Sequence, residues 1–435
     1  MRTSRKKKKK ANTNDRISDL PSNVIDGILA NLKIRDLVRT SILSKKWRYM
    51  WTSAPHLCYD DDFFERFLRL RDPDTVVCKI IMDVLMLRNG PVCKFSIDES
   101  GYCGSLFSME NINMWIPFMS KDIKHLELET YCIPEDENKK MPDILFSCKE
   151  LTFLKFSSFD LSVPPNFYGF KKLLELHLVM VTFASSALES LISGCPFLEK
   201  LSLEECICSN YLVITSPSLK VLVLVLYGAK SICLKEAKNL IDFTLKAYRT
   251  RSLIKSLPKI KKFSLGKLMQ QYPYAGIPPN HVIPPYADIP PMLLTSSFSS
   301  LEYLKLEDFN FNDKEDILYV VSALKSAPRL IELIIKQRFS KVDTTQVFDL
   351  SKELKSLSCC LKLQTVKVYT GDCSQYAMSL IKSILANSPL LKILTFYFCS
   401  YHRLDSRMLL KISQDLLMMK RASPGAQVNF LHSAY

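Results

Sequence analysis

The chain has 435 residues, of which 47% are apolar and 24% charged, and carries a formal net charge of +15. This is the composition of a folded chain with a large core. Fourteen cysteines without a C-x-x-C pair, no N-x-S/T acceptor and no apolar run near the ~20 residues of a membrane span exclude a disulfide framework and a spanning helix.

The first ten residues, MRTSRKKKKK, hold seven basic and no acidic side chains. Residues 1–14 are too polar to pack and read as a disordered basic tail, serving nuclear import or simply solvating the chain end. Scattered cysteines fit a reducing compartment, where they act as small buried apolar side chains. The expected location is the nucleus and/or the cytoplasm.

Behind the tail, SNVIDGILANL (22–32) places Val24, Ile25, Ile28, Leu29 and Leu32 on one helical stripe. Pro21 sits just inside the helix start, where a missing N–H costs nothing. IRDLVRTSILSKKW (34–47) offers Ile34, Leu37, Val38 and Leu43 to a second helix, and Trp47 and Trp51 stack one turn apart on a third. Three helices in about forty residues lie at the lower limit for an independent core. A second body is expected over their apolar surface, either another polypeptide or the first repeat of the same chain. The run Asp60-Asp61-Asp62 that follows reads as a solvated linker.

From residue 92 one hexapeptide pattern recurs, apolar at positions one, four and six. It appears as VCKFSI (92), IKHLEL (123), LTFLKF (151), LLELHL (173), LEKLSL (198), LKVLVL (219), LIDFTL (240), IKKFSL (260), LEYLKL (301), LIELII (330), LQTVKV (363) and LKILTF (391). The middle spacings fall in the 20–29 range of leucine-rich repeats. Positions four and six of such a strand face the core, and positions three, five and seven face outward. One strand with a single apolar face cannot stand alone, but a dozen stacked in parallel share a continuous core. SSALESLISGC (185–195) and EDILYVVSALKSA (315–327) have amphipathic helical spacing, which predicts helices on the outer side of the arc. Seven prolines in YPYAGIPPNHVIPPYADIPP (272–291) mark an inserted loop.

On the predicted inner face, Lys155, Glu175, Lys200, Glu204, Asp242, Lys246, Lys305, Glu307, Glu332 and Lys336 alternate in sign. A groove tracking phosphates needs one sign along its length, so nucleic acid is not the expected partner. The least polar patch there is Val221, Val223 and Val225, with Phe153 and Tyr303 in the same arc, a candidate target-binding surface unless a loop or the C-terminal region covers it. With eleven glycines the chain lacks G-x-G-x-x-G, G-x-x-x-x-G-K-[ST] and G-x-S-x-G, which removes support for nucleotide and hydrolase chemistry. Cys399 and His402 form a lone C-x-x-H, half a metal site at most. No catalytic residues, metal or cofactor are expected.

The order Leu20-Pro21, Ile28-Leu29 and LVRTSILSKKWRYMW resembles the F-box of plant F-box proteins. LFSCKELTFLKF, LESLISGCPFLEKLSLEEC and SPSLKVLVL resemble the plant F-box leucine-rich-repeat families that end in an FBD region. LIKSILANSPLLKILTF and LKISQDLLMMKRASPGAQVNF resemble that ending. The resemblance implies an α/β chain: a three-helix F-box at 15–57, then a curved leucine-rich-repeat solenoid at 58–350 with parallel strands on the concave face. FBD-like repeats would fill 351–435. It further implies that Leu20, Pro21, Ile25, Ile28, Leu29, Leu32, Leu37, Val38 and Leu43 dock an SKP-family adaptor and, through it, a cullin. Trp47 and Trp51 would hold the third helix and the joint to the repeats. The implied function is target recognition in an SCF-type ubiquitin ligase, with a non-degradative repeat scaffold as the other reading.

Overall fold

The computed structural model describes residues 17–99, 107–130, 140–247, 260–267, 298–337, 349–355, 357, 361–371, 374–399 and 406–433. The Pro-rich segment 272–291, the basic tail 1–14 and His402 lie outside them.

The N-terminal unit is built from α1 (Ser22–Ala30) and α2 (Ile34–Arg39), followed by tight turns of 3-10 type at Thr40–Ile42 and Trp47–Ser53. Asn31 ends α1, its side-chain amide donating to the Gly27 carbonyl at 2.7 Å. The third predicted helix is therefore a 3-10 segment that holds Trp47 and Trp51 buried.

Strand β1 (His56–Tyr59) begins the sheet, and α3 (Asp61–Phe64) and α4 (Pro73–Met86) follow it. Asp60 does not belong to a solvated linker: it caps α3, accepting from the Phe63 amide, and pairs with Lys33. This turn matters because it drives Phe63 and Phe64 into the core. Next come β2 (Lys94–Asp98), α5 (Met109–Trp115), β3 (His125–Glu129), β4 (Phe153–Ser157), β5 (Glu175–Val179), β6 (Thr182–Phe183) and α6 (Ser185–Ser193). The middle holds β7 (Lys200–Thr215), β8 (Val221–Lys235), β9 (Asp242–Ala247) and β10 (Lys262–Lys267). The C-terminal part runs β11 (Tyr303–Phe309), α7 (Lys314–Ser326), β12 (Glu332–Gln337), α8 (Ser351–Lys355), β13 (Thr365–Thr370), α9 (Gln375–Asn387), β14 (Ile393–Cys399), α10 (Ser406–Met418) and β15 (Gln427–Ser433).

Each of the twelve predicted strands starts two residues into its hexapeptide, and all pair in parallel with their neighbours. The reason is visible in the register. Position four lines up from Leu57 through Phe95, Leu126, Leu154, Leu176, Leu201, Leu222, Phe243, Phe263, Leu304, Leu333 and Val366 to Leu394. None of these side chains is more than 1% exposed, so each strand completes the core of the next.

Three strands escape the pattern: the two-residue β6, which pairs with β7 off the main path, and the first and last strands, β1 and β15. β1 carries Ala54 where the consensus has its first large apolar residue, and β15 carries Gly425. Both still present positions four and six to the sheet, as Leu57 and Tyr59 and as Val428 and Phe430.

The outer side is helical at α6 and α7, close to the predicted ranges, but not everywhere. The repeats starting at 198 and 219 are short, and β7 and β8 run on around the outside, still paired as Leu212 to Ile232 and Ile214 to Leu234. An extended chain covers the convex edge with fewer residues than a helix, which rises only about 1.5 Å per residue. Where the strand leaves the concave face, Ser158, Met180, Glu205 and Asp308 occupy the same eighth repeat position with φ of 61°, 52°, 56° and 54°. This left-handed residue bends the chain off the line of the concave face: β4 and β5 end before Ser158 and Met180, while β7 and β11 shift register at Glu205 and Asp308 and stay paired.

Candidate protein-interaction surfaces

The helical unit is not a free-standing body. Ile25 and Leu29 are 1% exposed and Leu37 0%, all within the core that continues into the sheet. They face inward because α2 packs on β1, where His56 Nδ1 meets the Ala30 carbonyl oxygen at 2.7 Å. Ile25, Leu29 and Leu37 are thus structural residues of this chain, a correction to their expected place in a docking surface. Leu20 and Leu32 are half-buried against the same core.

The other half of the expected set stays outside. Pro21, Ile28, Val38 and Leu43 are exposed, Leu43 by 51%. Val24 lies one turn before Ile28 on α1, and Ile42, 83% exposed, lies one turn after Val38. Ile17 and Tyr49 add further exposed apolar surface. Ile42 escaped the sequence reading because it sits in the 3-10 turn, where the 3.6-residue period fails. Its available signal was an apolar side chain directly before Leu43, off the stripe of Ile34, Leu37, Val38 and Leu43.

The joint is rigid. Trp47 and Trp51 are buried, as expected for residues that hold the third segment. Arg88, just past α4, donates to the Trp51 carbonyl at 3.1 Å, the Pro91 carbonyl at 3.3 Å, and the Ala54 carbonyl. The Asn89 amide adds a bond to the Thr52 carbonyl at 3.1 Å. One guanidinium therefore ties the end of the helical unit to the first repeats.

On the concave face the expected five-residue patch divides. Val221, Val223 and Val225 are half-buried, and Phe153 and Tyr303 each stand three strands away. The row runs Phe153, Glu175, Lys200, Val221, Asp242, Lys262, Tyr303, so charged side chains separate the three sites. Phe153 belongs to a ring stack instead: His125 lies parallel to it at 4.0 Å and His177 tilted at 5.1 Å.

The alternating charges close into ion pairs. Lys155 reaches Glu127 at 3.6 Å and also Glu129, Lys200 meets Glu175 at 3.3 Å, and Lys367 meets Glu332 at 3.0 Å. Lys246 and Lys305 share Glu307. His125, its Nε2 3.5 Å from the carboxylate, together with Lys155 and a hydrogen bond donated by Ser96 at 3.1 Å, holds the Glu127 carboxyl down at about 2. Burial lowers His177 despite its bond to Glu175. Burial raises Tyr303, helped by the neighbouring Glu332. Compensated charge of this kind gives no continuous cationic track. Among the described residues, no three His, Cys, Asp or Glu side chains are grouped to hold a metal ion, and no helix is long and apolar enough to cross a membrane.

Known proteins share this arrangement. The family description "F-box domain" matches residues 17–59, and "FBD-associated F-box protein At5g56370, LRR repeats" matches residues 114–335. The F-box/FBD/LRR-repeat protein At1g13570 of Arabidopsis thaliana is 30% identical over 430 residues, covering 96% of this chain and 98% of its own. The putative F-box/FBD/LRR-repeat protein At5g62970 of the same plant is 26% identical over 440 residues, 91% of this chain and 95% of its own. At5g56420, again an F-box/FBD/LRR-repeat protein of Arabidopsis thaliana, is 31% identical over 217 residues, 48% of each chain. With its helical unit, its parallel repeats and a match running almost end to end, the chain belongs to the F-box/FBD/LRR-repeat family.

Proposed function

We propose that the protein is the target-recognition subunit of an SCF-type, cullin-based ubiquitin ligase. The observation that carries this reading is the division of the F-box into two faces. Ile25, Leu29 and Leu37 are sealed into the chain's own core, while Val24 and Ile28 on α1, Val38 on α2, and Ile42 and Leu43 in and after the 3-10 turn remain exposed. Exposed apolar residues grouped on one small unit mark a binding site, and interfaces concentrate their energy in a few such anchors. The SKP-family adaptor docks on them and brings the cullin; the solenoid holds the target protein. The chain itself is non-catalytic and acts by tethering, which raises the local concentration of a target lysine near the loaded conjugating enzyme. It works in the nucleus and/or the cytoplasm.

The test is co-purification with an SKP-family adaptor. Ile28→Asp with Leu43→Asp abolishes it, while the thermal unfolding midpoint stays close to the parent's because both side chains stand at the surface, 39% and 51% exposed. Retention of the adaptor by this double variant removes the reading. Comparing captured proteins with and without a proteasome inhibitor then separates the ligase from a non-degradative scaffold: targets accumulate only for the ligase.

A further inference from the structure

The last four strands carry a surface that the sequence reading did not single out. At one register position Lys336 on β12 stands beside Tyr369 on β13, Tyr397 on β14 and Leu431 on β15. The two tyrosine rings are parallel within 3° with centroids 4.3 Å apart, and the Lys336 ammonium lies 5.2 Å from the Tyr369 centroid. At the far end of the row Leu431 is 47% exposed. The row before it reads Ile334, Lys367, Thr395, Asn429, and the one before that Glu332, Thr365, Ile393, Gln427.

Charge decides what such a face takes. Lys367 is paired with Glu332, and Lys246 and Lys305 share the carboxylate of Glu307. Among the described residues, no carboxylate pairs with Lys336; the tyrosine ring is its neighbour. A cation held over an aromatic face keeps its charge and still attracts an anion. The stacked rings and Leu431 continue from it as a flat, partly apolar strip. Tyrosine provides large contact area at low conformational cost, which suits a protein-binding surface. One cation at the end of an apolar strip does not suit a nucleic-acid strand, whose binding requires several phosphates to be neutralised.

We propose that Lys336, Tyr369, Tyr397 and Leu431 form a docking strip for an extended protein segment. That segment places a carboxylate on Lys336 and an aromatic or aliphatic side chain on Tyr397 and Leu431. The proposal deepens the reading of the solenoid as the target-binding part of the chain.

The experiment selects a displayed library of random twelve-residue peptides on the full-length protein and measures synthetic copies of the winners by fluorescence anisotropy. The expected winners carry Asp or Glu a few residues from Phe, Tyr or Leu. Lys336→Glu weakens them at least tenfold, and exchanging the peptide's acid for lysine restores binding to that variant. Tyr397→Ala and the surface change Leu431→Glu each weaken binding at least fivefold, with unfolding midpoints checked alongside. Failure to enrich any sequence, winners lacking an acid, affinities within twofold of the parent in Lys336→Glu, or tighter binding of a twelve-nucleotide single-stranded RNA each overturns the proposal. The Ile28→Asp, Leu43→Asp variant binds the peptides unchanged, so failure of adaptor docking and failure of this strip are read separately.

Discussion

Lys246 on β9 and Glu307 on β11 form an ion pair across the intervening strand β10. The bridge passes over Gly266, where a Cβ would sit 3.1 Å from Lys246 Cγ and 3.4 Å from Glu307 Cβ. Two side chains separated by a whole strand meet because the residue between them has no side chain. Gly266→Val is expected to break the pair and cost about 1–2 kcal/mol, since overpacking adds to the lost contact. Gly266→Ala displaces only the flexible lysine stem and stays within about 1 kcal/mol of the parent. Urea midpoints of the two variants check this, and an equal loss in both contradicts it.

Met180 turns the chain out of β5 with φ of 52°, a conformation that costs a non-glycine residue about 1–2 kcal/mol. Met180→Gly relieves that cost and is expected to hold or raise the unfolding midpoint. Met180→Val is expected to lower stability by about 2 kcal/mol, because a β-branched side chain fits that backbone worst. A glycine variant less stable than the valine one overturns the account.

Arg88 holds three backbone carbonyls at the junction of the helical unit and the repeats. Arg88→Ala leaves these acceptors short of a donor, at a cost of about 2–3 kcal/mol in a part-buried site. The loss is local: hydrogen exchange at residues 47–55 is expected to rise before that of β3 to β8. Uniform acceleration over the whole chain argues against a joint.

Acid weakens the concave face in two steps. Burial makes folded His177 harder to protonate than its unfolded form, so the unfolded chain takes up the extra proton. Stability from this group is present at neutral pH and declines as pH falls below about 6.5. Glu127, held at about 2, contributes stability above its unfolded value of about 4.3 and loses it as pH falls toward 2. Urea midpoints measured from pH 7.5 to 3 are expected to fall in both windows. His177→Gln flattens only the upper one and Glu127→Gln only the lower; an unchanged profile in either variant refutes its assignment.

Local pattern alone placed twelve strands and two outer helices, because each repeat buries the same two positions and period-two alternation is written in consecutive residues. Leu126 and Leu154 look alike in the sequence for the same reason that they touch in the fold. The first and last strands were illegible where Ala54 and Gly425 replace the leading apolar residue, since pairing with a neighbour, not propensity, makes them strands. The helical unit shows the limit most clearly. Sequence marked Ile25, Ile28, Leu29, Leu37 and Val38 as one apolar set, yet only the packing of α2 on β1 divides it into core and surface. Periodicity tells which residues share a helix face; which part of that face meets the chain's own sheet is a property of the tertiary contact. The row Lys336, Tyr369, Tyr397, Leu431 was likewise closed to inspection, because its members lie about thirty residues apart and become neighbours only through parallel register.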